Sequence, residues 1–126
     1  GLELNADPNS AFVQSMTETY GYCLIELAKY DLAMALKNKY EQFSHHADFV
    51  YMMGVVYMKK NMWDKAIREF EKATTLTSYS RKGVNSYRAY YNIGFIYETL
   101  GDKDKAREYY QKCGDYNNAV KRLEEL

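Results

Sequence analysis

The sequence predicts an all-α fold, an α-α superhelix built from antiparallel helix pairs. Three observations predict it. First, the stretch Val50-Tyr51-Met52-Met53-Gly54-Val55-Val56-Tyr57, followed by Ala66, Phe70 and Ala73, recurs forty residues later as Tyr90-Tyr91-Asn92-Ile93-Gly94-Phe95-Ile96-Tyr97, followed by Ala106, Tyr110 and Cys113. Self-similarity at such a period marks a solenoid of stacked supersecondary units. Second, glycine to first alanine is twelve residues in both copies, and the later gaps match too. Third, one proline in 126 residues favours long helices, because proline removes a backbone donor and clashes with the preceding turn.

The spacing has a physical reading of its own. Gly54 and Gly94 fall inside expected helices, where glycine costs about 1 kcal/mol relative to alanine. Close approach of a second helix offsets that cost, since a missing Cβ lets two backbones come together. Ala66, Ala73, Ala106 and Cys113 are the expected small partners on the second helix, and Tyr57, Tyr97, Phe70 and Tyr110 the bulky knobs between ridges. Upstream, Gly21 and Ala33 are again twelve apart, and Tyr30-Asp31-Leu32-Ala33-Met34 parallels Trp63-Asp64-Lys65-Ala66-Ile67. This copy is degenerate: Thr17, Leu24, Lys37 and Tyr40 replace the apolar, tyrosine, aromatic and small residues of the others.

An aromatic or large apolar residue, then large-Gly, Tyr, Ala, an aromatic and a second small residue resembles the tetratricopeptide repeat (TPR). The resemblance organises the chain as follows. Residues 1–9 are the tail of a preceding repeat or a linker, and 10–46 a degenerate first repeat. Residues 47–86 are a second repeat with an insertion, 87–116 a third, and 117–126 a capping helix. Gly21 and Gly54 are 33 apart and Gly54 and Gly94 are 40 apart, so about six residues are inserted between the second and third repeats.

The elements follow in order. Asn9 or Ser10 caps a first helix to about Ala28, with Phe12, Val13, Met16, Tyr20, Leu24 and Leu27 on its apolar side. The second helix runs from about Tyr30 to Phe43, and His45-His46 marks a solvated connection. A third covers about Ala47 to Lys60, with Asn61 as a left-handed terminator. The fourth begins near Trp63 and reaches at least Leu76. The polar segment from Thr77 to Asn85 fits either a loop or a helix extension. Ser86 caps the fifth helix to about Leu100, and Gly101 allows the turn. Asp102 or Lys103 opens the sixth, which ends near Cys113. The seventh, from about Asn117 to Leu126, presents Ala119, Val120 and Leu123 to the last repeat, as terminal caps do. At the start, Leu2-Glu3-Leu4-Asn5 with Asp7-Pro8-Asn9 resembles the end of a preceding second helix and its proline exit. With Gly1 in place of an initiator methionine, the sequence reads as the C-terminal part of a longer protein.

Composition excludes several function classes. Lys plus Arg and Asp plus Glu are both 17, which argues against the basic footprint of a nucleic-acid or anionic-membrane binder. No apolar run is long enough to span a bilayer. Cys23 and Cys113 read as buried free thiols acting as small apolar groups, which makes the cytoplasm the expected compartment. His45, His46 and Asp48 lack a second pair of ligands in sequence, so no metal is expected. There is no phosphate loop or nucleophile elbow. Glu69 with Lys72, and Glu108 with Lys112, read as surface pairs. The expectation is a chain without catalytic residues or cofactor.

The repeat resemblance implies a concave groove lined by the first helix of each pair. Carried across, its positions are Glu18, Tyr22 and Ile25; then Asp48, Tyr51, Met52, Val55, Met58 and Lys59; then Arg88, Tyr91, Asn92, Phe95 and Glu98. This aromatic and aliphatic lining suits a protein-contacting surface, and Tyr and Met give adaptable contact area. Chaperone-binding members grip a terminal carboxylate with Lys, Asn and Arg. Here Glu18, Tyr22 and Met52 stand in corresponding places, so that mode is not expected. Arg81, Lys82 and Arg88 cluster around the insertion, where an acidic or phosphorylated group would fit. The stretch Ser86 to Gly94, continued by Cys113-Gly114-Asp115-Tyr116, also resembles repeats that follow family-2 glycosyltransferase domains in Gram-positive bacteria. That implies an acceptor-binding or dimerising appendage as the alternative to a peptide- or protein-binding scaffold. A homodimer stays open as a further partner arrangement.

Overall fold

The computed structural model describes residues 8–126, and the Leu2-to-Asp7 reading lies outside them. The described residues form seven α-helices and no strand. These are α1 (Ala11–Glu26), α2 (Tyr30–Lys39), α3 (Ala47–Lys59), α4 (Trp63–Thr75), α5 (Tyr87–Thr99), α6 (Lys103–Gln111) and α7 (Asn117–Glu125). Each helix packs on its neighbour in sequence, and α3 also contacts α1. The expected superhelix of helix pairs is what forms, with α1/α2, α3/α4 and α5/α6 as the pairs and α7 against α6.

Local chemistry sets the boundaries. The Ser10 hydroxyl accepts the Val13 N–H at 3.2 Å and starts α1. Asp102 does the same for Lys105 at 3.1 Å and starts α6. Asn61 (φ 59°) and Gly101 (φ 86°) take the left-handed conformation that ends α3 and α5. Two expectations are corrected. The second helix stops at Lys39, because Tyr40 leaves helical geometry and the chain continues as a 3₁₀ turn over Glu41–Phe43. Ser86 precedes α5 but its side chain does not cap it. Instead the Gly83 carbonyl accepts the N–H groups of Ser86 and Arg88.

The repeated glycines work differently from the expected backbone-to-backbone contact. A Cβ on Gly54 would lie 2.7 Å from Phe70 Cε1, and one on Gly94 2.7 Å from Tyr110 Cδ1. Each glycine therefore admits an aromatic ring from the paired helix, and both rings are fully buried. Ala66, Ala73, Ala106 and Cys113 are buried beside them. In the degenerate pair Lys37 holds the aromatic position and turns outward to Glu69. Met52 reaches across from α3 to fill the place beside Gly21.

The segment 76–86 is a loop rather than an extension of α4. It folds back over the start of α3. The Asp48 carboxylate accepts the N–H groups of Ser80 at 2.8 Å and Arg81 at 3.0 Å, and Ser78 O accepts Ala47 N–H at 2.8 Å. Asn85 Nδ2 closes the loop base on Leu76 O at 2.9 Å.

Helix α7 is held from two sides. Ala119 is buried with Tyr110 and Cys113. Arg122 forms an ion pair with Glu98 of α5, whose Oε1 also accepts the Tyr110 hydroxyl at 2.8 Å. Burial raises the Cys113 thiol to about 11, and its Sγ donates to Tyr87 O at 3.3 Å, so it packs rather than reacts. Cys23, expected to be buried, is exposed, because it lies on the outer side of α1. The apolar side assigned to α1 is corrected with it. Phe12, Met16, Tyr20 and Leu27 are exposed, while Thr17, Glu18, Gly21, Leu24 and Ile25 face inward.

Replacing Gly94 by leucine overpacks the Tyr110 contact and is expected to cost about 1–3 kcal/mol in urea unfolding. Gly21→Ala is expected to cost clearly less than Gly94→Ala, because the flexible Met52 thioether can swing aside whereas the Tyr110 ring is pinned by Glu98. Asp48→Ala leaves two loop N–H groups without their acceptor. It should cost about 1–3 kcal/mol and accelerate amide exchange at Ser80 and Arg81. Hydrogen bonds from Arg122 chiefly hold the Glu98 carboxyl below its ordinary 4.5. The folded state then binds this proton less tightly than the unfolded chain, so the contribution is present above about pH 4.5 and lost as pH falls. Glu98→Gln should flatten that acid limb in a pH series of thermal unfolding.

Candidate functional site

The first helices α1, α3 and α5 form one face, and residues on it divide into three groups. Asp48 and Met52 are buried, as are Glu18 and Ile25. Met52 packs beside Gly21 and Asp48 ties down the loop, so neither lines an open groove, contrary to the expectation. Tyr22, Tyr51, Val55, Met58, Tyr91 and Asn92 are half-buried, and Lys59, Arg88 and Phe95 are exposed. Glu98 is engaged by Arg122 and Tyr110 rather than free to meet a ligand.

A row of tyrosines crosses this face. Tyr22 comes from α1, and the Arg81 guanidinium of the loop sits 4.9 Å from its ring centroid. Tyr51 of α3 packs edge-on to Phe70 at 5.3 Å, and its hydroxyl accepts Asn92 Nδ2 at 2.9 Å. That bond links α3 to α5. Tyr91 of α5 then meets Tyr116 at 5.6 Å with the rings perpendicular, and Tyr116 packs on Tyr87 at 4.8 Å. Burial raises the hydroxyls of Tyr22, Tyr51 and Tyr91 above their ordinary 10. They are neutral donors and acceptors at physiological pH. Tyr116 was missed from sequence because it lies between α6 and α7, outside the repeat register.

The insertion and the terminal helix bound the row at its ends. Arg81, expected within a basic cluster, covers Tyr22, while Lys82 and Arg88 are exposed nearby. His46, expected in a solvated turn, is half-buried. Its Nδ1 lies 3.7 Å from Asp48 Oδ1 and 3.9 Å from Glu18 Oε2. The Glu18 carboxyl is raised above its ordinary value, chiefly by burial. These polar groups line a recess of about 410 Å³ between α1, the start of α3 and the loop. Among the described residues, no group of three or more His, Cys, Asp or Glu is placed to hold a metal ion. No helix among them is long and apolar enough to cross a membrane.

The tetratricopeptide repeat family matches residues 49–115, just over half of the chain. No curated protein sequence matches it. Among solved structures, the crystal structure of MamA superimposes with a TM-score of 0.72 at 22% identity, covering 95% of this chain and 68% of that one. MamA MSR-1 C2 gives 0.65 at 23% identity, over 94% of this chain and 62% of that chain. At these identities the likeness is one of fold. The match through α3 to α6, with the glycine and aromatic positions in register, places this chain in the tetratricopeptide repeat family.

Proposed function

We propose that this chain is a non-catalytic scaffold that binds a peptide or partner protein along the face of α1, α3 and α5. The observation that carries the reading is the tyrosine row Tyr22, Tyr51, Tyr91 and Tyr116. Half-buried rings offer large contact area at low entropic cost, with a hydroxyl at the rim to fix register. Val55, Met58 and Phe95 add apolar surface between them, and Lys59 and Arg88 add cationic edges. A partner suited to this face has apolar anchors and few basic residues. The Asp48-anchored loop brings Arg81 over Tyr22 and so limits access at that end of the row. Membership of a repeat family of protein-binding scaffolds supports the same reading, and the free thiols Cys23 and Cys113 fit a cytoplasmic setting. The glycosyltransferase context rests on the sequence resemblance alone.

Selection of random peptides displayed on phage, followed by chemical-shift mapping, tests this. Selected peptides should perturb amides of α3 and α5. Tyr51→Ala and Tyr91→Ala should each weaken binding by about 1–2 kcal/mol with helical circular dichroism retained, and Phe95→Ser should weaken it with no loss of stability. Perturbations confined to other surfaces, or unchanged affinity in all three variants, would overturn the proposal.

A further inference from the structure

We infer that His46 is a proton-operated latch: its protonated imidazole closes Nδ1–H onto the carboxylates of Glu18 and Asp48 and clamps α1 to α3 and the insertion loop. The starting observation is an orphaned atom. Nδ1 of His46 is buried and has no hydrogen-bond partner among the described residues, although buried polar groups are nearly always satisfied. It faces Asp48 Oδ1 at 3.7 Å and Glu18 Oε2 at 3.9 Å. Both are beyond hydrogen-bond reach, but within about 1 Å of it. A neutral ring either turns a lone pair toward two carboxylates or leaves its N–H short of both. A protonated ring donates from both nitrogens and adds the positive charge that shortens and strengthens such bonds.

The acceptors have capacity to spare. Asp48 accepts the Ser80 and Arg81 N–H groups, one on each oxygen, and Glu18 Oε2 accepts Gln14 Nε2 at 3.0 Å. An ionised carboxylate offers about four lone-pair sites. The charged and titratable groups of the cluster come from three elements. Helix α1 supplies Glu18, with Tyr22 one turn on; α3 supplies Asp48; the loop supplies Arg81, whose guanidinium lies over Tyr22. The 3₁₀ turn before His46 offers the Phe43 carbonyl to its backbone N–H, and Glu41 and His45 are exposed. Burial raises the Glu18 carboxyl above its ordinary value and Asp48 adds to the rise, while the Gln14 bond and the Arg81 charge offset only part of it. The folded chain therefore holds a proton on Glu18 more tightly than the unfolded chain does. Its ionised form carries a cost at neutral pH, which a cation at His46 offsets.

The repeat register sets this junction apart. Counted from Gly21, Gly54 and Gly94, Glu18 stands where Tyr51 and Tyr91 stand, and His46 where Ser86 stands before α5. The neutral Tyr51–Asn92 bond joins α3 to α5, whereas ionisable groups meet between α1 and α3. An imidazole changes charge between about pH 5 and pH 8, so the latch closes toward the acid side of that interval. Asp48 holds the loop, and the loop holds Arg81 over Tyr22, so closure fixes the Tyr22 end of the tyrosine row. Only the consequence for partner binding rests on the role proposed for that row.

Hydrogen exchange of the whole chain, followed by NMR with each rate divided by its intrinsic value, tests the latch. Protection of the Ser80 and Arg81 amides should rise about tenfold between about pH 8 and about pH 5.5. His46→Gln should abolish the rise with helical circular dichroism retained, Glu18→Gln should shrink it, and His45→Gln should leave it intact. At the lower pH the Nδ1–H of His46 should give a persistent signal with contacts to side-chain protons of Glu18 and Asp48. Flat protection in the parent chain would overturn the proposal whether or not any variant folds. A rise that survives His46→Gln, or an Nδ1–H lost to solvent exchange at the lower pH, would overturn it as well. None of these readouts involves a bound peptide, so failure of the latch and failure of the binding face are separable.

Discussion

The fold depends on one recurrent contact, the entry of an aromatic ring into the space a glycine leaves on the facing helix. Phe70 occupies that space at Gly54 and Tyr110 at Gly94. The glycine lowers helix propensity locally, and the buried ring more than offsets this through apolar area removed from water. Because each ring lies sixteen residues beyond its glycine, the contact also sets the register of the two helices in a pair. Ridge packing then orients the next pair on the first. Where the ring is missing, the array borrows: Met52 from α3 fills the place beside Gly21, and Lys37 is redirected to Glu69. The degenerate pair is thereby tied to its neighbour more than to itself.

Two additions to the repeats shape the face that carries the tyrosine row. The insertion after α4 bends back because the Asp48 carboxylate meets two consecutive backbone N–H groups, a charge-assisted arrangement stronger than neutral pairs. It brings Arg81 over Tyr22. At the other end Arg122 of α7 joins Glu98, and Tyr116 stands against Tyr91. The repeats supply Tyr22, Tyr51 and Tyr91 at first-helix positions, and the loop and terminal helix limit what can reach them. Polar groups in this setting act by position: the Asn92 amide bonded to the Tyr51 hydroxyl keeps α3 and α5 aligned.

Legibility from sequence differed from element to element. Helices α3 to α6 were readable to within a residue or two, because two strong copies share spacing, terminators and apolar positions. The end of α2 was not, since the departure at Tyr40 carries no glycine or proline to mark it. The inward side of α1 was misread for a related reason. Its most hydrophobic stripe, Phe12, Met16, Tyr20 and Leu27, is the one without a covering neighbour among the described residues, whereas Thr17 and Glu18 are buried. Hydrophobicity alone cannot tell an unmatched stacking face from a core face. Tyr116 fell outside any periodic segment, and Met52 looked like a groove residue because its position in the repeat said nothing of the vacancy beside Gly21.

The sequence by itself determined the architecture: the period, the helix pairs, the glycines that must face a neighbour, and the first-helix positions that offer a binding surface. These follow from interactions between residues a fixed number of positions apart, which periodicity records directly. Tertiary structure alone decided which of those positions remain accessible. Asp48 is consumed by a loop thirty-two residues away and Glu98 by an arginine twenty-four residues on, while the outer stripe of α1 has no covering neighbour among the described residues. Such long-range pairings depend on where the chain returns in space, and no spacing rule encodes that.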